Sequence, residues 1–300
     1  METVQVLMST YNGEKYIREQ LNSIINQTYP SIKILVRDDG SSDGTIEILE
    51  EYAAKYDNMA YYAGKNLGVI QSFLQLLKDS DDSSAYYAFS DQDDVWLPEK
   101  IEKAVEMIEN NKEVEQPILY CGDTYLTDGS LNMIKAEEKH AKPSFGNALV
   151  QNICTGCTAV MNHELRNIIN QTNPFNIVMH DWWFYLVAAM HGKVVYDQKP
   201  YMYYRQHGNN EWGAKTSKRE IVKYRLGQLK KKRGYIYRQN EELLKAFEFM
   251  DDNHQKMINM VQNSENGIIG KIRLIFNKRI YRTSRENDLV YRLAIMIGKL

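Results

Sequence analysis

Only three cysteines, Cys121, Cys154 and Cys157, occur in 300 residues. They are too few and too unevenly spaced for a disulfide framework, so a reducing compartment is expected. Cys154 and Cys157 form a Cys-x-x-Cys pair, but no second pair exists to complete a zinc site. Both lie in an apolar stretch, where cysteine packs as a small hydrophobe. Long apolar runs are also missing. The longest uncharged one, Trp182 to Met190, falls far short of the roughly 20 residues of a membrane span. The N-terminus lacks the basic-then-apolar pattern of a signal peptide, and a cytoplasmic location is expected. No Gly-x-Gly-x-x-Gly run opens the first helical stretch, which argues against a dinucleotide fold of that type.

What is present begins with 43% apolar residues, enough for a large core in one big domain plus an appendage. The net charge of -2 hides an asymmetry: residues 1–216 carry about 12 excess acids and residues 217–300 about 10 excess bases. Short apolar runs alternate with helical spacing in the first part. Val4 to Met8, Ile32 to Val36, Met59 to Ala63 and Tyr86 to Phe89 read as strands. Between them Ile17, Leu21, Ile24 and Ile25, then Ile46, Ile48, Leu49 and Tyr52, then Val69 to Leu77 read as helices. Such alternation predicts a parallel sheet with helices on its faces.

Two acidic clusters follow predicted strands. Asp38-Asp39-Gly40-Ser41-Ser42-Asp43-Gly44-Thr45 reads as a turn with a helix cap, but that leaves two adjacent acids directly after a buried strand unexplained. A carboxylate only accepts hydrogen bonds, so it suits the imide N–H of uracil or thymine, or ribose hydroxyls. Ser90-Asp91-Gln92-Asp93-Asp94 packs three acids into four positions at a strand's carboxyl end, the edge where open α/β sheets bind ligands. It is either a solvated acidic turn or a site for a hard divalent cation such as Mg²⁺ or Mn²⁺ holding a phosphorylated ligand.

Ser9-Thr10-Tyr11-Asn12, the Asp38 to Thr45 loop, Asn66-Leu67-Gly68 and Ser90 to Asp94 together resemble family 2 glycosyltransferases of the GT-A fold over about the first 100 residues. The resemblance implies an inverting transferase using a nucleotide-sugar donor and a divalent metal. It implies that Thr10, Tyr11 and Asp39 line the base pocket, with Asn12 on the same nucleotide-sugar side. Asp91 and Asp93 would stand at the sugar diphosphate and metal, while the role of Asp94 stays open. Gly156 resembles the small residue beneath the acceptor, although a tight turn explains it nearly as well. Asp181 opens an apolar helix. From the residues alone it reads as a dipole-favoured cap, whereas in the family the acid at this place is the general base. Trp182 and Trp183 would give the acceptor sugar a face to rest on, with core packing as the commoner use of tryptophan there. Arg205 and His207 lie in a polar loop, and guanidinium plus imidazole suits a diphosphate and its metal. Similarity of Asp91 to Asp94, His180-Asp181-Trp182-Trp183 and Arg205 to Asn210 to the bacterial rhamnosyltransferase-type branch implies a dTDP-L-rhamnose donor.

Residues 1–216 are thus expected to form the catalytic domain, with 1–100 as nucleotide-sugar half and 101–216 as acceptor half. Residues 217–300 are expected to form a basic helical region. It carries the Lys230-Lys231-Lys232-Arg233 run and a stripe of Ile268, Ile269, Ile272, Ile275, Phe276 and Ile280 ringed by bases. It either packs on the domain or sits on an anionic membrane surface, and the latter is favoured. The expected partners are a nucleotide sugar and a saccharide or lipid-linked acceptor of surface polysaccharide assembly, with no nucleic acid. A nucleotidyltransferase would share the sheet and carboxylates but usually needs a basic glycine-rich loop, absent from Ser9 to Gly13. A catalytically silent sugar-binding or scaffold subunit would have little reason to keep Asp91, Asp93, Asp181 and His207 together.

Overall fold

The computed structural model describes residues 2–137, 139–207, 234–265 and 267–298. Gly208, Asn209 and Asn210 of the polar loop, the Lys230 to Arg233 run and the expected boundary at 216 lie outside the described residues. The chain folds as alternating strands and helices: β1 (Val4–Thr10), α1 (Ile17–Ile25), β2 (Ile32–Asp38), α2 (Thr45–Lys55), β3 (Met59–Ala63), α3 (Val69–Asp79) and β4 (Tyr86–Ser90). These four strands are parallel, in the order β4-β1-β2-β3. Side chains alternate across β1, so Val4, Val6 and Met8 join one core with Ile17, Leu21, Ile48 and Leu49, while Leu7 joins Phe73, Leu76 and Leu77 on the other face.

A short β5 (Val95–Trp96) and α4 (Lys100–Glu109) follow, then β6 (Ile118–Gly122), β7 (Tyr125–Thr127), β8 (Met133–Ala136), α5 (Phe145–Ala148), β9 (Val160–Asn162), α6 (His163–Asn170), α7 (His180–His191), β10 (Lys193–Asp197) and β11 (Met202–Arg205). The main sheet has seven strands, β10-β6-β9-β4-β1-β2-β3, of which β9 alone runs against its neighbours. A second sheet, β5-β11-β7-β8, includes a hairpin of β7 and β8 through Asp128 and Gly129. The fold is therefore the expected α/β arrangement, mostly parallel and flanked by helices.

Helix α7 decides where the larger core sits. Residues His180 to Ala188 are all buried, so this helix is apolar around its whole circumference and runs through the interior. Trp183 is fully buried with Nε1 donating to Thr172 Oγ1 at 3.2 Å, and the nearly buried Trp182 donates to the Ala148 carbonyl at 2.7 Å. This corrects the expectation that both offer a face to an acceptor. Their indoles are core filling with the polar edge satisfied, the commoner fate of tryptophan.

The C-terminal helices are α8 (Tyr235–Ala246), α9 (Asp252–Asn263), α10 (Ile268–Phe276) and α11 (Arg285–Met296). Ile236, Leu243, Ile258, Val261, Leu274, Tyr291 and Ile295 share one core with α7. The expected single stripe is divided: α10 ends at Phe276, Ile280 beyond it is buried, and Ile268, Ile269, Ile272 and Phe276 are exposed. Trp183→Ala should cost about 3–5 kcal/mol through the cavity it leaves, read as a shift in the urea midpoint; a loss below 1 kcal/mol would show that α7 is not the centre of this core.

Candidate active site

The carboxyl ends of β1, β2 and β4 are brought level by their register, in which Thr10 lies opposite Asp38 and Met8 opposite Ser90. The loops leaving those ends are tied together. Asp38 is buried and organises its own turn, accepting from the N–H groups of Gly40 at 3.0 Å and Ser41 at 2.8 Å, and from Thr10 Oγ1 at 3.0 Å. Thr10 is thus a buried strut. Asn12, held in the left-handed region at φ 50°, accepts from the Ser42 N–H at 2.8 Å and donates its own N–H to Ser41 Oγ at 2.8 Å.

Asp39 is also buried, in an ion pair with Arg37 at 2.5 Å, and it accepts from the N–H groups of Leu67 at 2.7 Å and Gly68 at 2.9 Å. Those bonds fasten the Asn66-Leu67-Gly68 turn to the second loop and leave acceptor capacity on Oδ2. Beside it the Tyr11 side chain is half exposed. Its backbone is clamped by Gln92, whose Oε1 accepts from the Tyr11 N–H at 2.8 Å while Nε2 donates to the Tyr11 carbonyl at 3.0 Å. A Cβ on Gly13 would meet Gln92 Oε1 at 2.3 Å, so glycine there makes room for the clamp.

The acidic loop sends the carboxyl groups of Asp93 and Asp94 to different partners and leaves Asp91 near Asp94. Asp93 Oδ2 lies 2.7 Å from His207 Nε2, and the imidazole stacks on Tyr16 with centroids 4.9 Å apart. Asp94 turns inward, is fully buried, and accepts from the Arg205 N–H at 3.1 Å. Burial, then the charges of Asp93 and Asp91, push its carboxyl well above the usual range. Ligand atoms of Asp91, Asp94 and Cys157 lie within 4.8 Å of one another. Lys100 is buried in the same region with Nζ 3.5 Å from the Trp96 ring centroid, and burial lowers its pKa to about 7.

Arg205 does not reach into the donor space as expected. Its Nε donates to the Asp93 carbonyl at 2.7 Å, Nη1 to the Gly129 carbonyl at 2.7 Å and Nη2 to Glu19 at 2.5 Å, and the guanidinium lies over Tyr16. With every guanidinium nitrogen engaged on the protein, its task is to fix the acidic loop. His207 and Asp93 are donors of the kind a divalent ion takes, a carboxylate oxygen and an imidazole nitrogen, here bonded to each other. The buried Asp94 and the Cys157 thiol suit such an ion less well.

Asp181 stands on the first turn of α7. Its Oδ1 accepts from Asn152 Nδ2 at 3.0 Å and from the Trp182 N–H at 2.6 Å. Burial raises its pKa to about 6, opposed by backbone N–H groups and by the charge of Lys139. Lys139 itself donates to Thr155 Oγ1 at 2.6 Å. A Cβ on Gly156 would come within 3.0 Å of His180 Nε2 and 3.5 Å of Asp181 Oδ2. The neutral His180, its pKa pushed down to about 3 by burial, stacks on Phe73 at 4.2 Å. The 3₁₀ turn Gly156–Thr158 thus has the Asp181 carboxyl against its first residue and the Asp91 and Asp94 carboxyls against its second.

The family described as Glycosyl transferase family 2 matches residues 5–168. This chain is a family 2 glycosyltransferase. It is similar to the dTDP-rhamnosyl transferase RfbG of Shigella flexneri, 35% identical over 237 residues that cover 75% of this chain and 80% of that one. Among solved structures it shares the GT-A fold with TarS 1–349 of S. aureus in complex with UDP (TM-score 0.60, 18% identity, 88% of this chain and 71% of that one). The same holds for the mannosyltransferase of Pyrobaculum calidifontis in complex with GDP-Man and Mn²⁺ (TM-score 0.53, 13% identity, 99% and 87%). No described helix is long and apolar enough to cross a membrane.

Gln92, Glu19, Asn152 and Lys139 escaped the sequence reading. Gln92 alone carried a signal, as the one neutral polar residue inside an acidic run. Gln92→Ala removes two hydrogen bonds that hold the Tyr11 loop, and donor affinity in a nucleotide titration should fall about three- to tenfold. Unchanged affinity would reduce the clamp to an ornament of the free enzyme.

Proposed function

We infer that this glycosyltransferase is inverting and metal-dependent, and that it moves a sugar from a nucleotide-diphosphate donor, dTDP-L-rhamnose, to a saccharide or lipid-linked acceptor in surface polysaccharide synthesis. Similarity to a dTDP-rhamnosyl transferase supports the donor. The carrying observation is the Gly156–Thr158 turn, which sets a raised-pKa carboxyl on one side and the acidic loop on the other. In this reading residues 1–216 are the catalytic unit and 217–300 a basic helical region, and the protein works in the cytoplasm at the inner face of the membrane.

The chemistry follows from those positions. Tyr11, Asn12 and Asp39 hold the nucleoside, with Asp39 Oδ2 accepting from the imide N–H of a pyrimidine. Asp91, Asp93 and His207 hold the metal, which when bound neutralises the diphosphate leaving group. A leaving group so stabilised needs no acid, and one base is enough. Asp181 takes the proton of the acceptor hydroxyl as that oxygen attacks the anomeric carbon from the face opposite the diphosphate, and the configuration inverts. Its bonds from Asn152 and the Trp182 N–H fall on Oδ1, and a Gly156 N–H also binds the carboxyl, so the proton arrives at a group already oriented by three donors. Gly156 keeps the space before that carboxyl clear.

Transfer should therefore rise with pH through about 6, because the base works only when ionised and burial has lifted its pKa to that value. Asp181→Asn keeps shape and hydrogen bonds but abolishes basicity, and turnover should drop by roughly 10²- to 10⁴-fold with donor affinity intact. Near-normal turnover of the folded variant would move the base elsewhere.

Asp93→Ala should abolish the Mn²⁺-dependent part of nucleotide-diphosphate binding, followed as ligand-induced thermal stabilisation. Equal stabilisation of the unaltered protein by the nucleotide in EDTA would remove the metal from the scheme.

A further inference from the structure

Helices α10 and α11 are apolar on two faces. One face enters the core through Leu274 on α10 and Tyr291, Ala294 and Ile295 on α11. The other carries Ile268, Ile269, Ile272 and Phe276 on α10, and Leu289, Leu293, Met296 and Ile297 in and just after α11, all exposed. Each set recurs three, four or eight residues apart, so each forms a stripe along one side of its helix. Phe276 is 78% exposed and Ile268 75%, values that packing within this chain does not account for.

The two helices pack against each other in opposite directions. Arg292 reaches the carbonyls of Ile275 and Asn277, while Lys271 Nζ lies 3.1 Å from where a Cβ on Gly298 would stand. With both buried faces on the core, the two exposed stripes lie side by side on the outer surface. The rim of that surface is basic: residues 267–298 hold seven Lys and Arg against two acids. Arg273, Lys278, Arg279 and Arg285 are exposed against one exposed acid, Glu286, since Asp288 is already paired with Arg292.

We propose that the outer face of α10 and α11 docks the enzyme on an anionic lipid bilayer, its apolar stripes entering the headgroup boundary and its bases meeting lipid phosphates. An apolar band bordered by cations matches that surface and no aqueous one. A second copy of the chain is the poorer occupant, because a two-fold interface sets the same patch against itself and would bring the two basic rims together. The surface rests on the proposed function only for its purpose, which is to bring a lipid-linked acceptor to the catalytic domain.

The test is co-sedimentation of the full chain with vesicles of phosphatidylcholine alone or mixed with phosphatidylglycerol, alongside sedimentation in solution and nucleotide-induced thermal stabilisation. Binding to the mixed vesicles only, weakened by salt, is expected. Phe276→Ser with Leu293→Ser, and separately Lys278→Glu with Arg279→Glu, should each reduce it about tenfold or more. Both variants alter exposed side chains, so their melting temperatures should stay unchanged. Absence of vesicle binding by the unaltered chain, or equal binding by both variants, overturns the proposal. So does a dimer that the same variants dissolve. If vesicle binding fails while nucleotide stabilisation persists, the docking surface falls and the sugar-transfer reading stands. The reverse result separates them the other way.

Discussion

Three carboxyl groups crowd the four residues after β4, and the site depends on keeping them there against their mutual repulsion. The protein settles two of them in different ways. Asp93 faces His207 at 2.7 Å. Asp94 is turned into the core, where burial favours its neutral form and the Arg205 N–H binds it. The loop backbone between them is held by the Arg205 guanidinium, which also reaches Glu19 on α1 and the Gly129 carbonyl of the β7–β8 turn. One arginine thereby joins the second sheet to the first helix across the acidic loop, and that loop in turn grips the Tyr11 loop through Gln92.

The strands at the centre were legible because each is a short apolar or β-branched run closed by turn residues, and the loops between them carry spacing that little else shares. Asp39 and Asp93 stood out for that reason. Arg205 was misjudged because a guanidinium next to a histidine looks like an anion site in sequence. Its actual partners lie at Glu19, Asp93 and Gly129, far away along the chain. Trp183 was placed at a surface because α7 has no polar face to reveal which side is inward; a helix buried all round gives no periodic signal. The C-terminal stripe was seen, but not the turn after Phe276 that sends Ile280 into the core.

The larger hydrophobic cluster reaches from β1 and β4 through α7 to the four C-terminal helices. These helices are part of the interior that supports Asp181, and not a separate ornament on its surface. Their outer face is free of that duty, which is how one pair of helices can serve both a core and a boundary.

A helix enclosed on every side has little room to shift, and Asp181 sits at the start of one. That carboxyl is therefore held in a fixed position, already aimed by the fold. Any adjustment around it then has to come from other segments, from the Asn152 amide through its hydrogen bond and from Lys139 through its charge, with Thr155 holding Lys139. The surroundings of Asp181 can accordingly change in the segment from Lys139 to Thr155 without disturbing the start of α7.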